Sequence, residues 1–538
     1  MTAAERLFLG ALILVGIVLR VVDLPRPFDR QFDGFQASFF AVGAVDYERL
    51  RSADDDGLPE GAGAGYPVVN LELFEDDPDT WYVYANHPPL VPLVAWGAAR
   101  LAGPEGWQEQ WRAGQPPEGL EAPLRAPFLA AHLVGAFLLG LALWRAGAPR
   151  AALYAGACWA WFPSSVLYAG LVNYEQPTLL ALGIGAAGAV EYTRTERRAW
   201  LLLVASGFAL GGTVTYAPLI FAGVVGLIGL TRGLRTASIL GATAITGGIA
   251  TLAVHARRAG ALLESRGEAP GALSTRVETL LGPMFDGSLP PLRWLTIQWD
   301  LALEQIGVAG LALSLAGALW ALAMAWRGRL LPALVAASLL AGGALVQLAF
   351  YRHTGDPQDP FLINLLPGLA ACAGLALARA ARVSPALAIV LTLAVVVESG
   401  LRTHGLEHRW RGANDADRND ASGVQVALPH HLGPTLNRIL PEGACAWYPE
   451  RLGLGPAHSY YAWRTLLPVG PETYATTQVR QNALGLETAP TYLIAPTPAP
   501  AALAPAVEAL LADLDRARPG ASSAPEATAD GWSAWRLR

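Results

Sequence analysis

Four short stretches hold the residues whose types could do chemistry. Asp33 stands in "PFDRQFDGFQ", shortly after the first long apolar run. His87 opens "NHPPL", Glu175 lies in "LVNYEQPTLL", and Arg352 and His353 stand with Asp356 and Asp359 in "FYRHTGDPQDPFL". A positioned carboxylate can take a proton from an attacking hydroxyl. Arginine and histidine can hold a phosphate through charge-assisted hydrogen bonds. Tyr174, Tyr216 and Tyr351, beside these groups, are candidates for lining a donor or acceptor cleft. Each group also has a plainer reading. Asp33 and His87 suit helix caps or solvated loops, and an acid such as Glu175 is favoured at a helix N-terminus by the dipole. Taken together they supply carboxylates for acid–base work and cations for a phosphate leaving group.

The elements that must position them are membrane helices. The 538 residues are 53% hydrophobic and 15% charged, whereas soluble domains carry about 25% charged residues. All 38 basic residues are arginine, and the net charge of −6 gives no basic surface for nucleic acid. The three cysteines lie far apart and make neither a disulfide framework nor a zinc spacing. A spanning helix needs roughly 20 apolar residues. Candidates fall at 5–22, 124–145, 150–170, 176–193, 199–214, 216–231, 236–256, 302–325, 330–350, 361–381 and 384–401, eleven in all. The first has no small-residue cleavage pattern and reads as a retained helix. The fifth and sixth are short and meet at "GGTVTYAPL", as a Gly/Pro-broken pair does where protein covers it.

Arginine in short loops sets the orientation. With the N-terminus inside, Arg145 and Arg150, Arg194, Arg197 and Arg198, Arg232 and Arg235, Arg327 and Arg329, and Arg379 and Arg382 all fall on the inner side. Segments 23–123, 257–301, 351–360 and 402–538 are then outside, and so are the four chemical groups. Residues 88–102 read as a helix lying at the interface, since a crossing there would invert the arginine pattern. "DDPD" places Asp77 and Asp79 in a D-x-D arrangement that could hold a divalent cation, although no metal ligand is assigned. Residues 402–422 read as a charged linker and 423–538 as a small α/β domain. In that domain "GACAWYPE", "PTYLIAP" and "WSAWRLR" suit strands and "ALAPAVEALLADLDRA" a helix.

In this order the motifs resemble those of the C-type (GT-C) glycosyltransferases, in the branch of the protein O-mannosyltransferases and aminoarabinose transferases. The counterparts are "FDRQFDGFQASFFA", "NHPPLVPLVAW", "NYEQPTLLAL" and "YRHTGDPQDPFLINLLPGLA", spread over roughly residues 1–400. The chain departs from the family with Gly34 after Asp33, with Glu175 where aspartate is common, and with Tyr216 where a lysine often stands.

The resemblance implies a mainly α polytopic fold with an extracytoplasmic α/β tail, in the plasma (bacterial inner) membrane, with the N-terminus cytoplasmic. It implies transfer of a hexose or pentose from a polyprenyl-phosphate donor to a protein, glycolipid or polysaccharide hydroxyl. Asp33 would be the base, Glu175 would orient it or the acceptor, and His87, Arg352 and His353 would face the phosphate. Two rivals from other classes are a lipid-linked-sugar transporter and a non-catalytic binding or assembly protein. A transporter would carry midplane charges and internal repeats, and neither is evident.

Overall fold

The computed structural model describes residues 1–27, 40, 90–112, 119–265, 291–328, 330–350, 360–415, 429–441, 444–449, 452, 454, 458, 461–462, 464–469, 477, 489–499, 503–517 and 524–537. The described residues form two compact units. One holds the described parts of Met1–Leu24, Ala85–Val91 and Arg125–Gly405; the other holds the described parts of Pro25–Tyr84, Pro92–Leu124 and Leu406–Arg538.

The helices of the first unit are α1 (Ala3–Val22), the start of α2 (Leu90–Ala102), and, after the short α3 (Trp107–Arg112) of the other unit, most of α4 (Glu121–Arg145). Then come α5 (Pro149–Trp161), α6 (Pro163–Tyr168), α7 (Glu175–Thr195), α8 (Ala199–Gly212) and α9 (Ala217–Val225), which runs into a 3-10 segment at Gly226–Arg232. They are followed by α10 (Leu234–Ser265), α11 (Pro291–Gln305), α12 (Val308–Trp326), α13 (Leu330–Phe350), a 3-10 turn at Pro360–Asn364, α14 (Leu366–Val383) and α15 (Pro385–Asp415).

Among the described residues, six helices are long and apolar enough to cross a membrane: α4, α10, α12, α13, α14 and α15. Their outward faces carry bare Phe137 (68% exposed), Leu319 (68%) and Leu322 (69%), a surface suited to lipid rather than water. Length and composition alone do not confirm the expected count of eleven spans. Residues 150–170 break at Phe162–Pro163 into α5 and α6. Helices α8 and α9 are short. The span expected at 302–325 is two helices, α11 and α12, hinged at Gly307, whose φ of 86° favours glycine.

Glycine lets α7 and α8 touch. A Cβ on Gly188 would meet the Val204 nitrogen at 3.0 Å, one on Gly207 would meet the Gly185 nitrogen at 2.7 Å, and one on Gly211 would meet Ala181 Cβ at 3.4 Å. Such small-residue seams bring backbones together without a hydrophobic driving force.

Glu398 of α15 caps α12. Its two carboxylate oxygens accept from the Val308 and Ala309 amides, both at 2.7 Å, and Arg402 Nε donates to Oε1 at 2.8 Å. Loss of a helix cap costs about 1–2 kcal/mol. Glu398→Ala is therefore expected to lower stability by about that amount, while Glu398→Asp recovers part of it; unfolding curves in detergent read the difference.

In the second unit, α16 (Pro429–Ile439), β1 (Cys445–Pro449), β2 (Thr465–Val469), β3 (Thr491–Pro496), α17 (Ala504–Ala517), β4 (Ala527–Ala529) and β5 (Trp532–Arg536) follow in order. The sheet order is β2-β1-β3-β5-β4. β1 lies parallel to both β2 and β3, whereas β5 runs antiparallel to β3 and β4. Leu436, Trp447, Ile494, Val507 and Trp535 share its core. Pro468 is tolerated because β2 is an edge strand. Asp530 and Gly531, with φ of 48° and 77°, make the two-residue turn between β4 and β5. The Asp530 carboxyl, bonded to the Thr435 hydroxyl and beside Arg438, is held below its ordinary range. The expected strands at "GACAWYPE", "PTYLIAP" and "WSAWRLR" and the expected helix are all found. Beyond 401, α15 continues as helix to Asp415 through the stretch read as linker.

Candidate active site

Glu175 is the first residue of α7, and Tyr174 is its N-cap. Both are buried, at 4% and 8% exposed. The Tyr174 carbonyl accepts from Thr178 Oγ1 at 2.8 Å, and Gln176 Nε2 donates to the Tyr168 carbonyl at the end of α6. A carboxylate in a helix's first turn faces the positive end of its dipole, and Glu175 holds that position in α7.

α6, the start of α7 and the 360–364 turn that packs on both hold several buried polar side chains. Ser164, Ser165, Asn173, Gln176 and Asn364 are all buried. Among the described residues, Ser164 Oγ, Asn173 Oδ1 and Gln176 Oε1 have no hydrogen-bond partner. Buried polar atoms normally find partners, so this end of the bundle is chemically suited to a polar ligand.

The 3-10 turn Pro360–Asn364 packs on both α6 and α7. The end of the "YRHTGDPQDPFL" stretch, from Pro360, is thereby brought against α7, the helix that Glu175 begins. The α7–α8 seam pairs Gly188 with Val204, Gly185 with Gly207 and Ala181 with Gly211. Carried forward, that register sets the turn before α9, with its N-cap Tyr216, level with the first turn of α7. Glu175, Tyr174 and Tyr216 therefore share one end of the bundle. Asp33, His87, Tyr351, Arg352 and His353, and the Asp77/Asp79 pair, lie outside the described residues. No group of three or more His, Cys, Asp or Glu among the described residues could hold a metal ion.

The sequence reading missed a buried cation at this end. Arg20, 6% exposed, donates to the carbonyls of Gly16 (2.6 Å), Ala160 (2.8 Å) and Ser165 (3.2 Å) and to Ser165 Oγ (2.9 Å). Ser165 Oγ also lies 2.9 Å from His132 Nε2, which accepts from Trp159 Nε1 at 2.8 Å. Arg20 thereby clamps α1 to α5 and α6 without any acid. It sits inside an apolar run, and only its charge there could have flagged it.

No family model matches the chain, and no curated protein matches it. Solved structures do. A crystal structure of ArnT from Cupriavidus metallidurans in the apo state aligns with a TM-score of 0.55 at 14% identity, over 100% of this chain and 99% of that one. ArnT of the same organism bound to undecaprenyl phosphate aligns at 0.59 and 14% identity, over 99% and 98%. The Archaeoglobus fulgidus oligosaccharyltransferase in its apo form aligns at 0.50 and 11% identity, over 91% of this chain and 69% of that one. The fold is that of the C-type glycosyltransferases, from the first helix through the α/β tail. Among these neighbours, ArnT, an aminoarabinose transferase, matches along essentially its whole length.

Proposed function

We propose that this chain is a membrane glycosyltransferase that moves a sugar from a polyprenyl-phosphate-linked donor to an acceptor hydroxyl on the extracytoplasmic side. The observation that carries the reading is the end-to-end fold likeness to ArnT, one structure of which holds undecaprenyl phosphate. The buried carboxylate and unsatisfied polar groups at one end of the bundle support it. Residues 1–401 would form the membrane domain and 423–538 the extracytoplasmic domain.

In the proposed reaction the acceptor oxygen attacks the anomeric carbon as the bond from that carbon to the phosphate oxygen breaks. Asp33 takes the acceptor's proton, and polyprenyl phosphate leaves with the bonding electrons. The anomeric centre inverts, because attack comes opposite the leaving group. Glu175 orients the acceptor or Asp33. His87, Arg352 and His353 face the charge that grows on the phosphate, where preorganised donors lower the barrier most. Tyr174, Tyr216 and Tyr351 wall the cleft.

The test is transfer in membranes holding the protein and supplied with polyprenyl-phosphate sugars labelled in the sugar. Label passing to an acceptor fraction, with matching release of polyprenyl phosphate, is expected. Tight donor binding without release across a panel of hexose and pentose donors would instead mark a non-catalytic protein. Arg352→Ala is expected to lower kcat/KM for the lipid donor roughly 10- to 100-fold, since a hydrogen bond to a charged group is worth about 1.5–3 kcal/mol. Unchanged donor dependence would remove Arg352 from the phosphate site.

A further inference from the structure

At the other end of the same helices lies a cavity of about 730 Å³ whose charged walls are arginine. Arg194, which lines it, stands near the last turn of α7, whereas Glu175 begins that helix. At 1.5 Å per residue the two are roughly 28 Å apart, so the cavity is not part of the candidate active site. Arg150, Arg232, Arg379 and Arg382 complete the ring, and Trp320 forms part of the wall. Among the described residues, no acidic side chain lines it.

The charges do not cancel. Glu5 pairs with Arg150 at 2.7 Å, and Glu191 pairs with Arg145 and Arg194. Among the described residues, Arg232, Arg379 and Arg382 have no carboxylate partner. Two of these three are held in place. Arg232 donates to the carbonyls of Thr193 (3.0 Å) and Arg194 (3.2 Å), and the Arg379 guanidinium lies 5.1 Å from the centre of the Trp320 ring.

Arginine in inner loops alone would be ordinary for a membrane protein. Such arginines need only reach solvent or headgroups. Here five arginines from four separate junctions converge on one space of ligand size, with Met324 and Leu375 supplying apolar wall. Guanidinium groups match phosphate oxygens in pairs and are the favoured residue for that anion.

We infer that this cavity is a second binding site, at the face opposite the candidate active site, for a phosphate or pyrophosphate group, borne either by a lipid or by a soluble molecule. The inference stands on the cavity alone and does not depend on sugar transfer at the other end.

The test uses the full chain in phosphatidylcholine nanodiscs. One arm titrates labelled inorganic pyrophosphate. The other adds phosphatidylglycerol to the nanodisc and counts retained lipid by native mass spectrometry. The wild type is compared with Arg379→Gln/Arg382→Gln, and with Arg382→Gln alone, whose exposed side chain makes that variant safe for folding. Saturable binding that is about tenfold weaker in the double variant is expected in at least one arm. Loss confined to the lipid arm assigns a headgroup; loss confined to the pyrophosphate arm assigns a soluble phosphate. No binding in either arm, or binding equal in wild type and folded variants, overturns the site.

Discussion

Asp33→Asn is expected to reduce sugar transfer by about 10²- to 10⁴-fold, the usual contribution of a general base, while donor binding persists. Asparagine keeps the size and one oxygen of the side chain but removes its charge and its ability to hold a proton. An effect on turnover without an effect on binding therefore separates a base from a residue that shapes the site. The same stretch supplies its own control. Asp29 stands four residues earlier in "PFDRQFDGFQ", so Asp29→Asn removes an equal charge from the same stretch. If both variants lose activity equally, the stretch's charge rather than one carboxylate is at issue. If neither does, Glu175 becomes the candidate base, since it is a buried carboxylate at the end of the bundle rich in unsatisfied polar atoms.

Parts of this architecture were readable along the chain because they rest on local pattern. Apolar runs mark the helices, and "PTYLIAP" and "WSAWRLR" mark strands because buried strands are short apolar runs between turn residues. The Asp530–Gly531 hairpin turn was equally readable as an Asp-Gly pair, yet β4 is only three residues long and carries no pattern of its own. β2 hides behind Pro468, which argues for a strand only once its edge position is known. What pattern could not show are the long-range polar contacts. Glu398 and the amides it caps are 90 and 89 residues apart, and Arg20 reaches Ser165 across 145. Nothing in the spacing of charges along a helix says which partner lies beside it. The candidate site divides in the same way. Glu175 was legible as an acid at a helix start, whereas the buried polar cluster around it arises from the packing of α6, α7 and the 360–364 turn.

The largest expected effect on stability falls at Glu5. Its carboxylate is 1% exposed and accepts from Arg150 Nε and Nη2, both at 2.7 Å, and from the Tyr154 hydroxyl at 2.8 Å. These bonds join the first turn of α1 to α5. Removing one member of a buried pair leaves the other charge uncompensated, at a cost of about 3–5 kcal/mol. Arg150 is 23% exposed at its side chain, so water or headgroups can reach it and the low end, about 3 kcal/mol, is expected for Glu5→Ala. Tyr154→Phe removes one hydrogen bond and should cost about 1 kcal/mol. The double variant Glu5→Ala/Arg150→Ala should be less destabilised than the two single variants added together, because neither charge is then stranded. Denaturant titration of the four proteins measures this directly, and a Glu5→Ala loss below about 1 kcal/mol would mean that Arg150 finds solvent instead. The same substitution bears on the arginine cavity. Glu5 neutralises Arg150 there, so Glu5→Ala adds one more uncompensated guanidinium to its wall. A less stable protein that nevertheless binds phosphate more tightly is the combined result that both arguments require, and a general loosening of the fold would not produce it.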